Sequence, residues 1–71
     1  MEFSRLEIGI REQVKLMRLM RGMSQREVAR VSGISVSGYN MWERGLCGIS
    51  LVRLEGVCEA LGCEIKLVLK I

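Results

Sequence analysis

Residues 24–45 read SQREVARVSGISVSGYNMWERG, and the punctuation inside this stretch marks two short helices joined by a tight turn. Ser24 followed three positions later by Glu27 is a capping box, in which each side chain takes a backbone N–H that the first helical turn leaves free. Met23 before that cap and Val28 at the fourth helical position have the spacing of a hydrophobic staple. Gly33 interrupts the pattern, so the helix ends near Ser32. Ser35 then caps a second helix that runs to Arg44 and stops at Gly45.

Outward from this stretch the same signals repeat. Ser4 with Glu7 forms another capping box, and Leu6, Ile10, Val14 and Met17 recur at steps of four and three, one apolar helical face. Gly22 ends that helix after Arg21, whose cation suits the negative end of the helix dipole. Ser50 caps a further helix with Leu51, Leu54, Val57 and Leu61 on one face, closed by Gly62. The period then changes. In EIKLVLKI, residues 64–71, Ile65, Leu67, Leu69 and Ile71 alternate with Glu64, Lys66, Val68 and Lys70, which predicts a strand.

With 71 residues, no proline and no linker or repeat, the chain reads as one domain over 1–71. Its core covers 14–61 and its C-terminal strand 64–71. Half the residues are apolar, which is incompatible with a disordered chain. No run approaches the roughly 20 apolar residues of a membrane span, and no secretory signal opens the sequence, so a cytoplasmic protein without a membrane partner is expected. Three cysteines (Cys47, Cys58, Cys63) without CxxC spacing, and no histidine, make neither a zinc set nor a complete disulfide framework. The carboxylates show no pairing signal. The chain therefore reads as neither an enzyme nor a metal or cofactor protein.

Charge is unevenly placed. Residues 11–53 hold eight basic side chains (Arg11, Lys15, Arg18, Arg21, Arg26, Arg30, Arg44, Arg53) against three acids (Glu12, Glu27, Glu43), a net +5 within a chain of +3. A basic centre fits a polyanion.

Two short helices around a Gly-containing turn make a helix-turn-helix unit, whose second helix lies in the DNA major groove. Residues 14–61 resemble the lambda-repressor/Cro-like (XRE-type) helix-turn-helix family. The likeness is carried by a basic first helix ending in Arg-Gly, then SQ, apolar-Ala, SGIS and WERG in that order. It implies a mainly α domain of four to five helices that binds double-stranded DNA with the helix at 35–44. It also implies roles for single residues. Gln25 contacts a phosphate and braces the recognition helix, Arg18 and Glu43 form an ion pair inside the fold, and Arg44 meets the backbone of the duplex. Trp42, beside Glu43, belongs to the core.

At the reading positions Ser35, Val36, Ser37, Asn40 and Met41 are expected to face the DNA. Asn40 is the residue that can grip adenine through both ends of its amide, Ser37 can hydrogen-bond a base, and Val36 can meet a thymine methyl. With so few polar readers, affinity should rest on phosphates and DNA shape more than on base hydrogen bonds.

A lone strand has no ladder partner, so the tail is expected to pair antiparallel with the tail of a second copy, with Ile65, Leu67, Leu69 and Ile71 as the dimer contact. A C-terminal strand after such a core is similar to HipB-type antitoxins, which repress their own operon and bind a toxin. Two functions stand from this: a homodimeric DNA-binding regulator acting as a repressor, and an antitoxin that binds a toxin protein. A domain kept only for dimerisation is the third.

Overall fold

A serine precedes every helix of the protein, and a glycine follows each one. In the computed structural model, which describes residues 3–70, the helices are α1 (Arg5–Met20), α2 (Gln25–Ser32), α3 (Val36–Glu43) and α4 (Leu51–Leu61). The hydroxyls of Ser4, Ser24, Ser35 and Ser50 accept the backbone N–H of Glu7, Glu27, Gly38 and Arg53 at 3.0–3.2 Å. At Ser4 and Ser24 the glutamate answers by accepting the serine's own N–H, completing both capping boxes.

The helix ends share one geometry, the pair of backbone hydrogen bonds of a Schellman turn. After α2, the Ile34 N–H reaches back to the Ala29 carbonyl at 2.9 Å and the Gly33 N–H to that of Arg30 at 3.3 Å. Gly33 has φ +72°, a left-handed conformation that a Cβ would strain. This turn sends the chain from α2 into α3 within three residues, and it positions the two helices of the motif.

The core takes one or more residues from every helix: Val14 of α1, Val28 and Ala29 of α2, Tyr39 and Trp42 of α3, and Leu54, Val57 and Leu61 of α4. The Tyr39 and Trp42 rings meet at 5.8 Å in a tilted pair, the offset arrangement that aromatic quadrupoles favour. Met23 packs against the cluster from the α1–α2 turn. Arg21 does more than sit at its own helix end: its Nε donates to the Leu61 carbonyl at 2.6 Å, tying α1 to the last turn of α4. Of the three free thiols, Cys58 is buried, and its pKa is pushed up to about 11 by desolvation and by the neighbouring Cys63.

Two residues of the expected apolar faces stand outside this core. Leu6 is 55% and Leu51 77% exposed. Periodicity assigns a residue to a helix face, but it does not say whether another element lies against that turn. Both leucines line a largely apolar groove of about 630 Å³ together with Ile10, Leu54, Ile65 and Leu67, with Glu55, Glu59 and Glu64 on its wall. The tail that borders this groove has no regular secondary structure from Cys63 to Lys70. No strand occurs among the described residues of the single chain, because an extended segment forms a ladder only beside a second strand. Ile65, Leu67 and Leu69 are exposed, and Ile71 lies outside the described residues. None of the described helices is long and apolar enough to cross a membrane.

Gly33→Ala is expected to destabilise the domain by about 1–2 kcal/mol, the cost of an L-residue in the left-handed region. Nothing crowds the position itself, so the loss reports backbone strain alone. Thermal unfolding followed by circular dichroism should show a fall of roughly 4–8 °C per kcal/mol for a domain this size.

Candidate nucleic-acid interface

α3 is divided lengthwise by burial. Tyr39, Trp42 and Glu43 are buried, at the i, i+3, i+4 spacing of one helix face. Ser37, Met41 and the C-cap residue Arg44 are exposed, at i, i+4, i+7 on the other side. Ser35 is exposed at the N-cap, while Val36 and Asn40 lie half-buried along the edges. Val36 rests against the core cluster, so only part of its side chain is free to meet a base. Gly38 is explained by the cap. A Cβ there would come within 2.9 Å of the Ser35 hydroxyl, the group that accepts the Gly38 N–H.

Behind this face runs a continuous polar network through three helices. Arg18 of α1 makes a two-pronged pair with Glu43 of α3. Its Nε donates to Oε2 at 2.9 Å and its Nη2 to Oε1 at 2.7 Å. A third donor, Nη1, meets the Met23 carbonyl at 2.9 Å, just before α2. Glu43 Oε1 also accepts from Gln25 Nε2 at 3.1 Å, and Gln25 Oε1 accepts from Asn40 Nδ2 at 2.8 Å. The network thus brings Arg18, Glu43, Gln25 and Asn40 together.

The charge state of the pair follows from its surroundings. Burial by itself would raise the Glu43 pKa, but the hydrogen bonds from Arg18 first, with the neighbouring Tyr39 hydroxyl and the Gln25 amide, outweigh it and hold the carboxyl below its ordinary value. Its partner Arg18 is raised above its usual range, first by the hydrogen bonds to Glu43. The Tyr39 hydroxyl is buried beside them without a hydrogen-bond partner of good geometry. Desolvation first, and then the Glu43 carboxylate, push its pKa upward.

The family of the chain can be judged against this geometry. A family model described as helix-turn-helix matches residues 14–68, a span that runs from α1 through the α2–α3 pair and α4 into the tail. The chain belongs to the helix-turn-helix family of Cro/C1, or XRE, type. That makes it a DNA-binding transcription regulator, in a family whose work is binding and generally not catalysis. No curated protein and no solved structure matches the chain. For this helix-turn-helix protein the exposed side of α3 is accordingly the candidate interface.

The sequence reading did not include Arg53 in the interface. Arg53 is exposed, and it lines a cleft with Ser35 and Gly38 of the α3 start and Ser50 of the α4 start. Its sequence signal was only membership of the basic segment, because the neighbourhood of two helix starts arises from the 44–50 connection folding back. That Gln25 braces the recognition helix was expected from the family resemblance, but its partners, Glu43 and Asn40, were not legible, since they lie 18 and 15 positions away.

Two outcomes follow for the polar network. Arg18→Ala should be the most destabilising of the substitutions at Arg11, Arg18 and Arg21, costing about 3–5 kcal/mol because it leaves the Glu43 carboxylate buried and unpaired. Glu43, with its folded pKa depressed, contributes stability that is complete above the ordinary carboxyl value of 4.5 and is lost as pH falls through the lower folded value. Melting curves of the unaltered chain and of Glu43→Gln should therefore lie apart at neutral pH and converge on acidification.

Proposed function

We propose that two copies of this chain bind a two-fold-related DNA site as a repressor, each laying the exposed side of α3 in the major groove. The observation that carries this reading is the lengthwise division of α3: one side is locked into the core by Trp42 and Glu43, and the other presents Ser37, Met41 and Arg44. Ser37 supplies a hydrogen-bonding hydroxyl, Met41 and the free part of Val36 supply apolar contact to base edges, and Ser35 stands where α3 enters the groove. Arg44 is placed for the phosphate backbone. Gln25, the first residue of α2, stands where backbone amides favour an anion.

The tail and groove support the dimer. Leu6, Leu51, Ile65 and Leu67 are exposed apolar side chains on one groove, beside Glu55, Glu59 and Glu64. A segment that alternates in period two obtains its missing backbone partners from an identical segment across a two-fold axis. Ile65, Leu67, Leu69 and Ile71 are the side chains assigned to that contact. A dimer reaches two half-sites about 34–36 Å apart, one turn of the duplex. Occupation of such a site excludes other proteins from it, and the regulatory result is repression.

Sequences selected from a random DNA pool give the first test, with binding then measured across salt concentrations. Log affinity should fall with log salt at about 0.9 per neutralised phosphate, and Arg44→Ala should weaken selected and random duplexes alike while lowering the slope by about 1. Absence of binding to any duplex at low salt overturns the proposal. The second test is sedimentation of the chain lacking residues 64–71. Monomers, with affinity for a two-fold site lost far more than affinity for a half-site, support the paired tails. An intact dimer at micromolar concentration removes the tail from the interface, and the antitoxin reading, with a toxin protein on the tail, takes its place.

A further inference from the structure

We propose that Asn40 is a positioning residue: with Gln25 it restrains the rotation of α3 about its own axis, and it transmits sequence preference instead of reading a base. This inference rests on the proposal that α3 reads DNA. The amide orientations are dictated outward from the buried ion pair. Glu43 offers only acceptors, so Gln25 must turn Nε2 towards it, at 3.1 Å. That leaves Gln25 Oε1 facing α3 as an acceptor, and the Asn40 amino group meets it at 2.8 Å. Asn40 is therefore oriented by a carboxylate it does not touch.

Gln25, at the start of α2, holds α3 both in its middle, at Asn40, and at its last residue, Glu43. Burial of Tyr39 and Trp42 and the Arg18 pair at Glu43 seat the helix, and the Asn40 bond adds a directional restraint at its middle that apolar packing does not supply. Ser37, Met41 and Arg44 share the exposed side, so any roll displaces all three together. A recognition constellation has to be held within about 0.5 Å and 10–20° to keep its geometry. An asparagine that grips adenine lays its carbonyl and amino groups along one base edge, whereas Asn40 is half-buried at the edge of α3 with one of its two Nδ2 hydrogens held by Gln25. The exposed side chains of α3 are left to read.

Two arms test this. In the DNA-free protein, Gln25→Ala and Asn40→Leu, the second a substitution of similar size, should shift the backbone amide resonances of Ser37 and Met41 in the same direction. Unmoved resonances at those positions overturn the positioning role whatever the protein does with DNA. In the second arm, selected and random duplexes are titrated with the unaltered chain, both single variants, the double variant, and Ser37→Ala as a reader for reference. Each single variant should reduce the preference for selected over random DNA roughly fivefold, the worth of about one hydrogen bond. The loss should spread over the positions of the half-site; Asn40→Leu should leave affinity for random DNA unchanged, whereas Gln25→Ala, at a residue also assigned to a phosphate, should lower it. The double variant should lose no more preference than Gln25→Ala alone, since Asn40 acts only through its bond to Gln25. Preference lost at one base pair in Asn40→Leu, but kept there in Gln25→Ala, would make Asn40 a reader and sink the proposal. If the first arm succeeds and no duplex is bound, the DNA reading fails while the role of Asn40 in seating α3 stands.

Discussion

Arg18 and Glu43 hold the helix-turn-helix together at the point where its parts would otherwise separate. The guanidinium comes from α1 and the carboxylate from the last residue of α3, and a third donor of the same arginine reaches the chain just ahead of α2. Their side chains are only 10% and 2% exposed, so neither charge is satisfied by water. A buried pair need not add net stability relative to apolar residues of the same shape, but losing one member strands the other. Its value here lies in specification: a two-pronged pair accepts one relative placement of α1 and α3, whereas apolar packing tolerates several. Gln25 and Asn40 extend that single placement to the edge of the exposed surface.

A helix of eight residues has little length to share between folding and recognition, and α3 resolves this by sides. Tyr39 and Trp42 give it a large apolar burial for its size, and Glu43 locks its end. The exposed side then needs few contacts of its own and carries few polar groups. Base hydrogen bonds from one serine confer limited discrimination, whereas the basic residues of the 11–53 segment supply a strong attraction to phosphates that is indifferent to sequence. In the proposed complex this balance places the choice of site on the shape and phosphate register of the duplex more than on base hydrogen bonds.

A second surface has a different chemistry. Leu6, Leu51, Ile65 and Leu67 line a groove with Glu55, Glu59 and Glu64 on its wall, and the segment beside it carries alternating apolar residues in no regular secondary structure. Leu51 and Leu69 are 77% and 87% exposed, more than a small domain leaves to water without a use for it.

Much of the architecture was written in local sequence. Serine before each helix and glycine after it act over three or four residues, through a hydroxyl that accepts one N–H and a backbone free to take positive φ, so the four helices and the turn between α2 and α3 could be read directly. The family could be read for the same reason, since its signature is an ordered run of such local pieces. What tertiary structure alone decided lies at longer range. Leu6 and Leu51 have the period of core residues, yet none of the described residues covers their turns. The Asn40 amide, free on paper to grip a base, is turned towards Gln25 because Glu43 accepts hydrogen bonds and cannot donate them. Arg53 stands beside the start of α3 because the 44–50 connection brings it there. Capping and turn chemistry are properties of neighbours in sequence, whereas burial and hydrogen-bond partnership depend on which surfaces meet, and only the packed chain determines that.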